Sequence, residues 1–347
     1  VIAEPVPGRK ANMTVRGVGG MLIDFTTRYH GSDQLSCFYP TGGRYLFEDA
    51  SKFSFQVNGS SQVDAEDQPS ASGGEIALHV YGTSVSKDGT QAKVTYTLRD
   101  NQPWLEYQVE IKNTSDGPRG LRIEDSLRCD GNLFKTGALN GGGFYAEDRY
   151  FGQCYGFLVE GQELEQQGGR NMQLVANKAE LEDLAPGEAR TWSGRVICAQ
   201  GLPGVRSRMS EILEQKTTYP VALLLRSPQG PVQHALVEYL SDGNSLGTIQ
   251  TGTDGFIRTY LPDGSYVAKI SAIGHEPREH SFEVSGKSRS DTLSLEAASR
   301  VRARIVDGQG RAIAAKVQFI GLDDTPDPDL GPDSAVYAMK NVVYCAK

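Results

Sequence analysis

The side chains best suited to bind a ligand lie between residues 104 and 150. They combine aromatic rings, which stack on sugar rings, with carboxylates and guanidinium groups that hydrogen-bond hydroxyls. This set predicts a glycan-binding concavity, although structural aromatics and surface ion pairs fit the same residues. Sugar epimerisation is disfavoured because it needs a general acid and base, and the stretch holds no histidine. The candidate ligand-binding residues are Trp104, Asp125, Arg128, Asp148, Arg149 and Tyr150.

An acidic loop near the end of the sequence offers oxygen donors for a hard cation. Its aspartates suit calcium, but they lack the spacing of a known calcium loop. A solvated or partner-contacting loop stiffened by prolines is the alternative interpretation. At residues 275–280, Pro277 disfavours a helix that would place both histidines on one face, so a metal site is not expected there. The calcium candidates are Asp323, Asp327, Asp329 and Asp333.

Five cysteines are scattered along the sequence with no CxxC motif. In an exported protein they could form up to two disulfides, whereas buried free thiols are the equally open alternative. Nucleophile elbows and phosphate-binding loops are also absent from the sequence. We therefore predict no catalytic residue and no cofactor for this chain. The disulfide candidates are Cys37, Cys129, Cys154 and Cys198.

Composition limits the partners and the location. The formal charge of −8 disfavours a nucleic-acid partner, and no stretch approaches the length of an apolar bilayer span. The sequence starts at Val1 without a leader, which fits a processed N-terminus. We expect a secreted, periplasmic or cell-surface protein.

The elements that would position these residues are mostly strands. Residues 93–98 and 104–111 alternate apolar and polar side chains, so each should bury one face. Such patterns predict a large antiparallel β-sandwich over residues 1–203. An apolar stripe predicts one helix over residues 204–216, in a connector spanning 204–218. Further strands are predicted at residues 53–57, 75–80, 121–127, 155–159, 172–175 and 191–197.

An internal repeat organises the remainder. Residues 221–237 recur without gaps as residues 301–317, and each copy predicts a strand, a glycine turn and a second strand. The first copy completes a small sandwich at 219–298, and residues 299–347 form only the first half of a second one. The fold class is thus all-β: a large, supersandwich-like sandwich followed by one complete and one partial Ig/transthyretin-like sandwich.

The half-sandwich would leave apolar residues without the sheet they should pack against. An open strand edge would also invite pairing with other chains. We therefore expect residues 299–347 to be completed by polypeptide beyond Lys347 or by a neighbouring subunit.

Three stretches resemble known families. Residues 316–333, with the pattern Thr-Pro-Asp-Pro followed by Gly-Pro-Asp, resemble the region upstream of the catalytic domain in carbaryl-hydrolase-like metallohydrolases of the PHP superfamily. Residues 234–266 resemble a carboxypeptidase-regulatory or transthyretin-like domain, and residues 148–156 resemble a supersandwich of the galactose-mutarotase type. The first resemblance implies a catalytic domain with a divalent metal beyond Lys347.

Two classes of function follow as hypotheses. The first is a non-catalytic accessory segment of an exported PHP-type metallohydrolase. The alternative is a surface structural or adhesive protein that assembles by strand complementation, or a carbohydrate-binding module with a glycan partner.

Overall fold

The fold is all-β, as the sequence predicts, with one α-helix among the residues that the structure describes. The chain divides into two compact units: Val1–Asp148 with Gln153–Lys216, and Arg149–Gly152 with Thr217–Lys347. The structure is a computed structural model, and it describes residues 2–3, 12–14, 22, 25–26, 35–40, 53–60, 63–64, 70–82, 89–121, 125–129, 134–148, 152–160, 171–173, 182–297, 301–323, 327–328, 330 and 341–345.

The first unit is built from strands and one helix, α1 (Gly201–Glu214). Its strands are β1 (Ile2–Ala3), β2 (Asn12–Thr14), β3 (Phe25–Thr26), β4 (Leu35–Tyr39), β5 (Phe53–Val57), β6 (Val63–Asp64), β7 (Ser70–Ser72), β8 (Glu75–Gly82), β9 (Thr90–Arg99), β10 (Trp104–Asn113), β11 (Arg119–Leu121), β12 (Ser126–Cys129), β13 (Phe134–Leu139), β14 (Gly143–Asp148), β15 (Gln153–Val159), β16 (Asn171–Gln173), β17 (Glu182–Leu184) and β18 (Ala189–Gln200).

A nine-stranded antiparallel sheet, in the order β13-β14-β15-β18-β10-β9-β8-β5-β6, forms the frame of this unit. Strict alternation along β10 and its neighbours turns Tyr107 and Val109 towards one face. There they share a core with Phe38 and Leu127 of the three-stranded sheet β16-β12-β4. The rings of Phe38 and Tyr107 lie 4.9 Å apart between centroids. The two sheets therefore form the predicted sandwich.

Helix α1 packs on the first unit. Val205 and Met209 share a second apolar cluster with Ile197 on the other face of the nine-stranded sheet. A Cβ at Gly156 would lie 2.6 Å from Val205 Cγ1, so glycine permits this close approach. The helix begins three residues earlier than its apolar stripe suggested, and it is a packed part of the first unit, where a simple connector had been expected.

One strand prediction needs correction. Residues 121–127 do not form one strand, because β11 pairs with β17 whereas β12 lies in the three-stranded sheet between β4 and β16. The strand predicted at residues 172–175 is observed as β16. In contrast, the strand at residues 53–57 is confirmed, and those at 93–98 and 104–111 are confirmed with longer ends.

The second unit contains the complete first copy of the repeat. Two four-stranded sheets enclose a core that includes Leu225, Val237 and Tyr239. Strand β26 (Arg289–Ser294) pairs in parallel with β19 (Thr218–Ser227), whose other pairings are antiparallel. The strands are β19 (Thr218–Ser227), β20 (Gly230–Pro231), β21 (Leu236–Ser241), β22 (Asn244–Gln250), β23 (Phe256–Pro262), β24 (Gly264–Ser271), β25 (Arg278–Val284), β26 (Arg289–Ser294), β27 (Ala315–Gln318) and β28 (Val342–Cys345).

Within the described residues, the second copy forms less regular structure than the first. Strands β27 and β28 make a two-stranded antiparallel sheet, and a single bridge joins Val306 and Ala312. The turn between those two residues is held by Asp307, whose Oδ1 accepts hydrogen bonds from the backbone N–H groups of Gln309 and Arg311, both at 2.9 Å. Described helices contain no segment with the length and hydropathy needed to cross a bilayer.

Candidate functional site

Asp125 lies inside the first unit, fully buried between the two sheets. Its Oδ2 accepts hydrogen bonds from the hydroxyl of Tyr107 at 2.7 Å and from the indole N–H of Trp192 at 3.0 Å. Burial, and then the nearby negative charge of Asp125, raise the pKa of the Tyr107 phenol. Asp125 therefore acts as a structural hydrogen-bond acceptor in the core.

Trp104 lies on the opposite face of the nine-stranded sheet from Tyr107 and Asp125, because residues 104 and 107 differ in parity along β10. Its indole N–H donates to Glu106 at 3.3 Å, and its ring packs beside the cluster beneath α1. Arg128 is exposed on β12. The structure thus does not bring Trp104 and Asp125 together into one concavity.

For the other three predicted ligand-binding residues, the structure describes only the backbone of Asp148. Asp148 ends β14, where its backbone pairs with Gln153 and Phe134. Arg149 and Tyr150 lie outside the described residues. A glycan site that includes them stays a prediction.

An ion-pair network beside Trp104 was missed at the level of sequence. Glu106 accepts hydrogen bonds from Arg99 and from Trp104, and it also pairs with Arg195 at 3.6 Å. Burial disfavours ionisation of Glu106, but these hydrogen bonds outweigh it and hold its pKa below the ordinary value. The alternation of Glu106, Gln108 and Glu110 on β10 is the signal that could have revealed this polar face. Its charges compensate one another, which favours a structural role.

The cysteines of the first unit form part of its core. Cys129, Cys154 and Cys198 are buried free thiols, which is the alternative interpretation of their spacing. Burial raises the pKa of Cys154, with Glu147 as the next cause, so its thiol is protonated and unreactive. The side chain of Cys37 lies outside the described residues.

In the acidic loop, the side chain of Asp327 links two separate segments of the chain. Asp327 accepts a hydrogen bond from the backbone N–H of Gly321 at 2.8 Å and another from the side-chain amide of Asn341 at 2.9 Å. Asp323 has a left-handed backbone with φ 54°. Asp329 and Asp333 lie outside the described residues, and the described part of the chain contains no group of three His, Cys, Asp or Glu that could hold a metal ion.

The repeat itself provides the clearest candidate surface. Val221 of the first copy is 4% exposed, whereas its counterpart Val301 is 77% exposed. Val237 is fully buried, whereas its counterpart Val317 is only half-buried. Further along, Ile320 and Leu322 are also exposed. We call the described residues 301–323 and 341–345 the second-copy surface.

Among the described residues, β28 is the one strand that pairs with β27. Phe319 donates its backbone N–H to Asn341 at 2.8 Å, so odd-numbered residues of this strand bond towards β28. The backbone groups of Lys316 and Gln318 therefore point to the other side. In the first copy, the equivalent residues of β21 pair there with β24. The second-copy surface thus combines an open edge with uncovered apolar side chains.

Comparison with known proteins gave structural neighbours only. No family model and no curated protein matches the chain. Catechol 1,2-dioxygenase from Acinetobacter sp. is 11% identical over 26% of this chain and 57% of its own, with a TM-score of 0.22. The 5-hydroxyisourate hydrolase of Klebsiella pneumoniae is 14% identical over 23% and 99%, at 0.19. A polysaccharide lyase is 11% identical over 84% of this chain and 47% of its own, at 0.32. The chain therefore spans about half the length of the dioxygenase and the lyase.

Proposed function

We propose that this chain is a non-catalytic, β-rich accessory segment of an exported PHP-type metallohydrolase. In this proposal the catalytic domain and its divalent metal lie beyond Lys347, and the second-copy surface is where further polypeptide joins the segment. The metallohydrolase part of the proposal rests on the resemblance of residues 316–333. The joining surface rests on the contrast between Val221 and Val301, at 4% and 77% exposure. Core positions are buried in the first copy, whereas equivalent positions are exposed in the second. The second copy is therefore suited to being completed by a partner strand.

The roles of the buried carboxylates support an accessory function over a catalytic one. Asp125 holds Tyr107 and Trp192 in the core, and Glu147 accepts a hydrogen bond at 3.4 Å from the backbone N–H of Leu202 at the start of α1. A carboxylate near a helix N-terminus stabilises the helix. Both acids are thus engaged in holding the fold.

The edge of β27 away from β28, with the apolar residues beside it, is where a partner strand would complete the second copy. A strand placed along this edge would pair with the backbone of Gln318, as β24 pairs with the backbone of Glu238 on β21. The same strand would place its side chains beside Val317 and Phe319, whose counterparts Val237 and Tyr239 are fully buried. That strand would come from the continuing polypeptide or from a neighbouring subunit.

The proposal is tested on protein purified from its natural source. Lysine-reactive cross-linking followed by mass spectrometry should join Lys316 to polypeptide that the 347-residue chain does not contain. Lys287, exposed in the first copy, is the matched control and should link only within the chain. The purified species should also hydrolyse phosphate or carbamate esters with a divalent metal, and the 347-residue chain alone should not. A native species with Lys316 unlinked and no hydrolase activity would contradict the proposal.

A structural or adhesive protein would use the same surface in another way. Strand exchange between identical chains would link Lys316 to a second copy and produce periodic assemblies visible by electron microscopy. That outcome, without hydrolase activity, would replace the accessory proposal by the alternative.

A further inference from the structure

The start of the second copy carries a charge pattern that the first copy lacks. Residues 301–305 read Val-Arg-Ala-Arg-Ile, so apolar side chains alternate with two arginines. Val301, Arg302 and Arg304 are all exposed, and residues 301–305 form no strand in the described part of the chain. The alternation is typical of a strand with one buried and one solvated face.

The counterpart of this segment lies in the middle of a sheet. Strand β19 pairs with β23 on one side, antiparallel, and with β26 on the other. In that register Ala222 is opposite Arg258, and Leu224 is opposite Phe256. The offset of 80 residues places Arg302 and Arg304 at the positions of Ala222 and Leu224. A strand that paired with residues 301–305 would therefore meet two guanidinium groups on its outer face.

Opposite charges directly across an antiparallel pair stabilise it, and like charges destabilise it. The apolar face offered by Val301, Ala303 and Ile305 requires apolar side chains at the alternate positions. Together these two requirements define the chemistry of the incoming strand.

We propose that residues 301–305 accept an antiparallel strand, in the place that β23 occupies on β19, whose side chains are alternately apolar and acidic. Its carboxylates lie opposite Arg302 and Arg304, and its apolar side chains cover Val301 and Ile305. The proposal rests on the proposed function, because it specifies the polypeptide that completes the second copy.

The test uses the full 347-residue chain and three synthetic heptapeptides in which valine alternates with glutamate, glutamine or lysine. Binding is followed by fluorescence anisotropy, and hydrogen exchange locates the protected amides. The glutamate peptide should bind about two- to thirtyfold more tightly than the glutamine peptide, from two cross-strand ion pairs. It should slow exchange at residues 301–305. The lysine peptide should bind most weakly.

Charge reversal provides the matched variant. The double substitution R302E and R304E should invert the order, so that the lysine peptide binds more tightly than the glutamate peptide. The control, K112E with K287E, changes net charge equally at exposed sites elsewhere and should keep the original order. Equal protection of residues 301–305 by all three peptides would overturn this inference and leave the proposed function standing. No protection of the second-copy surface by any peptide would overturn both.

Discussion

The two copies of the repeat show how much of a sandwich a short sequence can build without its partner strands. Both copies form the first turn. The backbone N–H of Val232 donates to the carbonyl of Leu225 in the first copy, and the N–H of Ile313 donates to the carbonyl of Ile305 in the second. Among the described residues, only the first copy adds the strands that cover these residues. Local hydrogen bonds therefore determine the turn, whereas burial of the core positions depends on strands from elsewhere.

The largest expected difference in stability between the two copies concerns the core positions at the first turn. L225A should lower the free energy of unfolding of the first copy by about 2–5 kcal/mol, because Leu225 is fully buried and leaves a cavity. I305A, at the equivalent half-buried position, should cost less than about 1 kcal/mol. Denaturant-dependent hydrogen exchange of each copy measures both values. Equal costs would show that the second copy is as closely packed as the first.

The next difference concerns the strand edges. Glu238 lies on β21, between β22 and β24, so E238P removes a ladder hydrogen bond and should cost about 1–3 kcal/mol. Gln318 is the equivalent residue on β27, and its N–H points to the open edge. Q318P should change the exchange of the β27–β28 amides very little. A large effect of Q318P would mean that the edge is already paired.

Lowering the pH should produce a smaller difference in stability between the two copies than the substitutions above. Burial disfavours ionisation of Asp291, but hydrogen bonds from Arg289 and from His280 outweigh it and hold its pKa below the ordinary value. A carboxylate of this kind stabilises the fold above its unfolded pKa, about 3.9, and this contribution is lost as the pH falls through the folded pKa. D291N should therefore flatten the acid limb of first-copy stability, measured by unfolding between about pH 6 and pH 2.

Asp307 serves as the control for that titration. A backbone hydrogen bond from Arg311, and then one from the Arg311 side chain, lower its pKa. Because Asp307 belongs to the second copy, D307N should leave the acid limb of the first copy unchanged. A matching effect of both substitutions would contradict the separation of the two copies.

The smallest expected change in stability comes from polar substitution of the exposed apolar residues. The triple variant V301S, I320S and L322S should keep the free energy of unfolding within about 0.5 kcal/mol of the parent. It should also reduce concentration-dependent self-association, which sedimentation velocity measures, because less apolar surface is exposed. V221S, at the buried counterpart of Val301, should instead destabilise the first copy.

Local patterns in the sequence predicted much of the fold. Alternation located β9 and β10, and the apolar stripe located α1, because both patterns depend on neighbouring residues alone. The packing of α1 on Ile197 was not predictable, since the stripe does not identify the surface it covers. The repeat predicted that residues 299–347 form only the first half of a second sandwich, so that its apolar residues lack the sheet they should pack against, but it did not identify Val301 as one of them.

The candidate ligand site was less predictable. Trp104 and Asp125 are close in sequence, but strand parity and the pairing of β12 with β4 put them on opposite sides of the nine-stranded sheet. That separation depends on long-range pairing that spacing does not encode. The same limit applies to Cys154 and Cys198, whose burial follows from the helix and sheets that cover them.

Hydrogen exchange of residues 301–305 reports directly whether a partner strand pairs with this segment. It is measured on the isolated 347-residue chain and on protein from the natural source under identical conditions. We expect nearly intrinsic exchange in the isolated chain and strong protection in the native protein, because a partner strand then pairs with this segment. Equal exchange in both samples, or strong protection already in the isolated chain, would contradict this expectation.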